Sequence, residues 1–144
     1  MSLPLALTPV SGWQRLRGLT DSLAGAMLGA AVYAAWAVWI NRAAGLEMAL
    51  SAGAGHWLAS TLLTYYGTAA MRAIERRTRG LRHPAQATAL GGLALTYLVL
   101  LGLHLALGTP ELLLTLAPGL LPNLLFCAGY AELLRRTPPP PCPR

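Results

Sequence analysis

Few residues in this sequence could do chemistry, and they are widely spaced. His56 and His104 are imidazoles, which change charge near neutrality. Glu47 and Glu111 are carboxylates, and Asn123 offers both a donor and an acceptor. Two histidines and two carboxylates could bind a metal or pass protons. Their spacing carries no ligand signature, because no two of the four lie at i, i+4 on one helix. No metal ligands are therefore expected. A simpler expectation is that Glu47 and Glu111 complement helix dipoles and that each histidine satisfies a local hydrogen bond. The sequence has no G-x-S-x-G, no Walker motif, no H-E-x-x-H and no carboxylate pair within one apolar run. Catalytic residues, cofactor-binding residues and cofactors are accordingly expected to be none, which leaves His56, His104, Glu47, Glu111 and Asn123 as polar candidates. Cys127 and Cys142 stand 15 residues apart with no Cys-x-x-Cys and no adjacent histidine, so neither a disulfide framework nor a zinc site is implied.

The elements that must carry these groups follow from composition. Of 144 residues, 55% are hydrophobic and 11% charged, against about 25% charged in an average soluble domain. The mean hydropathy is +0.50. Too little polar surface is available to cover a water-soluble globule, and an integral membrane protein remains. Charged residues are absent from 22–41, 48–71, 84–110 and 112–131, and a bilayer span needs about 20 mostly apolar residues. The expected fold is an all-α membrane protein with four transmembrane helices, at about 19–40, 47–71, 86–107 and 111–134, arranged as two hairpins. A segment 1–18 precedes this domain of 19–134, and a proline-rich tail, 135–144, follows it.

Orientation follows from charge. The net charge is +6, and all eleven basic residues are arginine. They cluster between the apolar runs rather than over a soluble face, so no nucleic-acid partner is expected. Ten lie before the first span, between the second and third, or after the fourth, and only Arg42 falls in a loop on the other side. The positive-inside rule then places both termini in the cytoplasm, N-in and C-in, in a bacterial inner membrane. The first apolar run is longer than a signal-peptide core and ends in Tyr33, Trp36 and Trp39, which predicts a retained span.

Each span carries a small or polar stripe. Gly25 and Gly29 form a G-x-x-x-G beside Ala26 and Ala30, the pattern that lets helices approach closely. His56, Ser60, Thr64 and Thr68 recur every fourth residue in the second span, and Thr115, Gly119, Asn123 and Cys127 do so in the fourth. Hydrogen bonding across the bundle is the first expectation for these stripes, and a polar path for a substrate or proton the second. Pro118 and Pro122 each free a carbonyl four residues earlier, at Leu114 and Pro118, and those carbonyls must find partners inside the bundle.

With Asn41-Arg42-Ala43-Ala44-Gly45 in one outer hairpin, Thr109-Pro110-Glu111 in the other, and Ala117-Pro118 and Tyr130 in the last span, the chain resembles small bacterial four-span inner-membrane proteins. That resemblance implies no catalytic residues. In size and span count it also resembles GtrA-like proteins, which implies movement of lipid-linked sugars. Two functions are expected: a non-enzymatic accessory or scaffold subunit, or a small oligomeric transporter or flippase. The expected partners are the lipid bilayer and either further copies of this chain or another membrane protein.

Overall fold

The computed structural model describes residues 22–137. The expectations for 1–21, including the start of the first span at 19, and for the tail from 138 onward lie outside the described residues. Ser22 caps the first helix, its hydroxyl accepting from the Gly25 amide at 3.1 Å. Helix α1 spans Leu23–Asn41, and a single 3-10 turn, Arg42–Ala44, leads to Gly45. Gly45 has φ 99, a left-handed conformation that suits glycine, and it reverses the chain into α2, Leu46–Thr78. Helix α3 spans Pro84–Ala106, with the proline at its first position, where no amide proton is missed. Gly108, at φ 66, ends that helix, and α4 spans Leu112–Arg136. The described residues contain no strand.

The ends of α3 and α4 fall within two residues of the expected spans, but α2 does not stop at 71. It continues to Thr78 as a helix of 33 residues, about 50 Å long at 1.5 Å per residue. The apolar run ends near Met71, but the helix does not, because Ala73-Ile74-Glu75-Arg76-Arg77 contains neither glycine nor proline. Arg79 closes the end with two bonds to Glu75, at 2.8 and 2.9 Å. The Glu75 carboxylate bonded to it raises the Arg79 guanidinium above its ordinary pKa.

Three helical segments, Leu23–Ala44, Pro84–Ala106 and Leu112–Arg136, are long and apolar enough to cross a membrane. Helix α2 is the longest and most polar of the four. It packs along both α1 and α3, α4 packs mainly along α3, and α1 and α4 touch little. The bundle therefore has one loose seam. Close approach occurs at Gly53 of α2, where a Cβ would collide with Val38 and lie 3.1 Å from the Ala34 carbonyl of α1. At Gly92 of α3, a Cβ would stand 2.9 Å from Met71. At the arginine-rich end, Met71, Cys127, Tyr130, Ala131, Leu133 and Leu134 form one buried cluster.

Only part of the stripe on α1 packs as expected: Ala26 and Ala30 are buried, whereas the glycines are not. A Cβ built on Gly29 meets nothing within 4 Å, and both Gly25 and Gly29 are exposed. Small side chains permit close approach without enforcing it. Here they leave a space.

Candidate functional site

That space is a cavity of about 410 Å³ at the centre of the bundle. From α1 it is bounded by Gly25, Gly29 and Tyr33, and from α2 by His56, Ser60 and Thr64. Thr96 and Leu100 of α3 and Gly119, Asn123 and Cys127 of α4 complete the wall. Two stripes with a period of four residues, on α2 and α4, thus meet across one volume, as residues on one helical face must. Gly25, Gly29 and Pro122 are exposed, so the cavity opens sideways through the seam between α1 and α4.

His56 forms part of the wall and points onward to α3. Its Nδ1 lies 2.9 Å from Nε2 of His104, with the ring centroids 5.1 Å apart. His104 is fully buried, and its Nδ1 lies 2.9 Å from the hydroxyl of Thr109, in the turn after Gly108. The Thr109 amide donates back to the His104 carbonyl at 3.0 Å, which fixes the turn against the ring. In either of two tautomer patterns every link has one donor and one acceptor. The proton order runs from His56 to Thr109 or from Thr109 to His56. His56 itself is part of the cavity wall, and its Nδ1 is the ring nitrogen bonded to His104.

The four-residue constellation does not assemble. The histidines meet each other, and His104 also makes the expected local bond, to Thr109, while Glu47 and Glu111 remain exposed at the starts of their helices. Among the described residues no three of His, Cys, Asp and Glu come together to hold a metal. Asn123 joins the cavity on the α4 side, its Nδ2 sharing the space above Gly119 with the Tyr97 hydroxyl.

Most of the stripe hydroxyls bond within their own helices rather than across the bundle. Thr64 donates to the Ser60 carbonyl at 2.8 Å, Thr68 to Tyr65 at 2.9 Å and Thr96 to Gly92 at 3.0 Å. Cross-helix bonds come from residues with longer reach. Asn41, at the end of α1, donates to its own Ala37 carbonyl and to Thr115 of α4, both at 2.9 Å, while its Oδ1 accepts from the Glu111 amide at 3.4 Å. This network ties the two hairpins together beside the histidine pair. Trp57 of α2 donates to the Met27 carbonyl of α1 at 3.1 Å. At the opposite end Arg72 donates to the Tyr130 hydroxyl at 2.7 Å, and Tyr130 stacks on Phe126, which bounds the cavity there.

Sequence reasoning missed Thr109, Tyr33 and Asn41. Only Asn41 carried a usable signal, as an amide at the end of an apolar run. Thr109 reaches His104 because Gly108 turns the chain back, and no periodic pattern marks that. Comparison with protein-family models, with curated proteins and with solved structures finds no match to this chain.

Proposed function

We propose that this chain is a four-span protein of a bacterial inner membrane, with α2 as the fourth span and both termini in the cytoplasm, and that its cavity binds and carries a small amphipathic molecule. The observation that carries this reading is the cavity itself. About 410 Å³ is enough for a small ligand. Hydroxyl, amide and imidazole groups from all four helices line the cavity, and its mouth faces sideways between two apolar helices. In a bilayer that mouth admits a molecule with a polar head and an apolar tail directly from the lipid. A lipid-linked sugar, the cargo that the GtrA-like resemblance implies, has this character. Helix α2 fits a span despite its polarity, because His56, Ser60 and Thr64 turn toward the cavity and Leu58 and Leu62 turn outward. Among the described residues, seven of the eight arginines fall at one end of this arrangement and only Arg42 at the other, which supports the orientation. No chemical transformation is assigned to the site.

Native-membrane purification in lipid nanodiscs, followed by extraction and mass spectrometry of bound small molecules, tests the reading. A molecule should copurify with the wild type and be lost from Gly29→Leu, which fills the cavity from α1, and from Asn123→Leu, which removes the α4 amide at nearly the same volume. Recovery of a stoichiometric heterologous protein, with no small molecule, would replace this reading by that of an accessory subunit.

A further inference from the structure

We propose that His56, His104 and Thr109 form a proton relay joining the cavity to the aqueous phase at the hairpin end of the bundle. The inference rests on the proposed membrane-spanning reading, and on nothing about the identity of the cargo. Ionisable side chains inside a bilayer are costly and mark proton or substrate paths. Here two of them are bonded in series, with links of 2.9 Å from ring to ring and 2.9 Å from ring to hydroxyl. The inner terminus of the series is His56 in the cavity wall, and the outer terminus is Thr109, itself only 7% exposed but flanked by the exposed Gly108 and Pro110.

A proton arriving at the Thr109 hydroxyl displaces the hydroxyl proton onto His104 Nδ1. His104 releases its Nε2 proton to His56 Nδ1, and His56 releases its Nε2 proton into the cavity. One proton enters and one leaves, each ring gains at one nitrogen what it loses at the other, and passage in the reverse direction restores the first tautomers.

The path is one-sided. Toward the arginine end the Thr64 and Thr68 hydroxyls turn back onto their own helix, and the cluster of Met71, Cys127, Tyr130 and Leu134 closes the bundle. Other titratable groups also face the pair or its cavity. Tyr33 of α1 has its ring 6.3 Å from that of His56, and Tyr97 of α3 donates to the Leu116 carbonyl. Cys127 is the thiol that α4 presents to the cavity. Glu47 and Glu111 are exposed and form no ion pair with either histidine.

The test uses the full chain carrying His83→Gln, with isotope-labelled histidine, in sealed vesicles. Orientation is read by impermeant maleimide on Gly80→Cys in a Cys142→Ser background. Infrared difference spectra then follow imidazole protonation after a pH jump on one face only. Acidifying the hairpin face should change the His56 and His104 bands promptly, and acidifying the arginine face should not. Thr109→Val should slow the response at least about tenfold, and Thr109→Ser should restore it. His104→Gln, which keeps a hydrogen-bonding amide but cannot pass protons, should abolish the prompt response of His56. No imidazole response, an equal response from both faces, or a wild-type rate in His104→Gln would overturn the relay. Failure of the copurification experiment would leave these spectra unchanged, so the two readings fail separately.

Discussion

The indole of Trp36 donates to the carbonyl of Leu114 at 2.9 Å, and Leu114 is the residue whose helical partner would have been the amide that Pro118 lacks. A defect within α4 is thus repaired by a side chain of α1, across the seam where those two helices otherwise touch little. The proline and the tryptophan are one device. The carbonyl that Pro118 leaves without a helical partner is satisfied in an apolar setting because the indole reaches it.

Trp36→Phe should therefore destabilise the bundle by about 1 kcal/mol, the scale of an interhelical bond in lipid. Pro118→Ala restores the helical partner of Leu114, and in that background the same substitution should cost markedly less. Reversible unfolding in mixed detergent, run as a double-mutant cycle, reads the difference. Equal costs in both backgrounds would show that the indole contributes only packing.

Gly53 and Gly29 should respond oppositely to enlargement. At Gly53 a new methyl collides with Val38 and crowds the Ala34 carbonyl, so Gly53→Ala should cost about 1–3 kcal/mol. At Gly29 there is free space, and Gly29→Leu should leave the unfolding midpoint within experimental error of the wild type. Loss of the fold in Gly29→Leu would mean that another helix rests on the α1 stripe after all.

Cys127 is buried yet borders the cavity. In intact membranes a small, lipid-permeant maleimide should label it slowly, and Gly29→Leu should reduce that labelling several-fold by filling the mouth. Mass spectrometry of the labelled peptide separates this site from Cys142. Labelling that ignores Gly29→Leu would place the entrance elsewhere.

Reporter fusions test the orientation. A phosphatase active only in the periplasm should be inactive after Arg144 and active when inserted at Gly108. Changing Arg76, Arg77, Arg79 and Arg82 together to Asn should give mixed orientation, since the rule counts positive charges in short loops. Arg72 is kept because it bonds Tyr130.

The four helices and their hairpins were legible because long uncharged runs and left-handed glycines are local features. The meeting of the α2 and α4 stripes was legible in part, since a period of four sets a face but not what the face confronts. His56 and His104 are 48 positions apart. Their meeting depends on the rotation and register of α2 against α3, which Met71 over Gly92 helps to set and no local pattern reports. The α1 stripe was legible only in part for a related reason: Ala26 and Ala30 are buried but Gly29 opens onto the cavity, and glycine is equally suited to touching a neighbour and to making room. The helix outlasts the expected span of 47–71 because hydropathy measures what the side chains prefer as surroundings, whereas helicity continues until the backbone is interrupted.

The sideways mouth at Gly25, Gly29 and Pro122 changes what affinity means for this cavity. In the proposed bilayer setting, a lipid-soluble molecule is already concentrated in two dimensions at the level of the opening. It arrives by lateral diffusion rather than by leaving water. A few hydroxyl and amide contacts then suffice for high occupancy, and weak holding leaves release fast. Dissociation constants measured in detergent, where that reservoir has been diluted away, should therefore understate how full the cavity is in the native membrane.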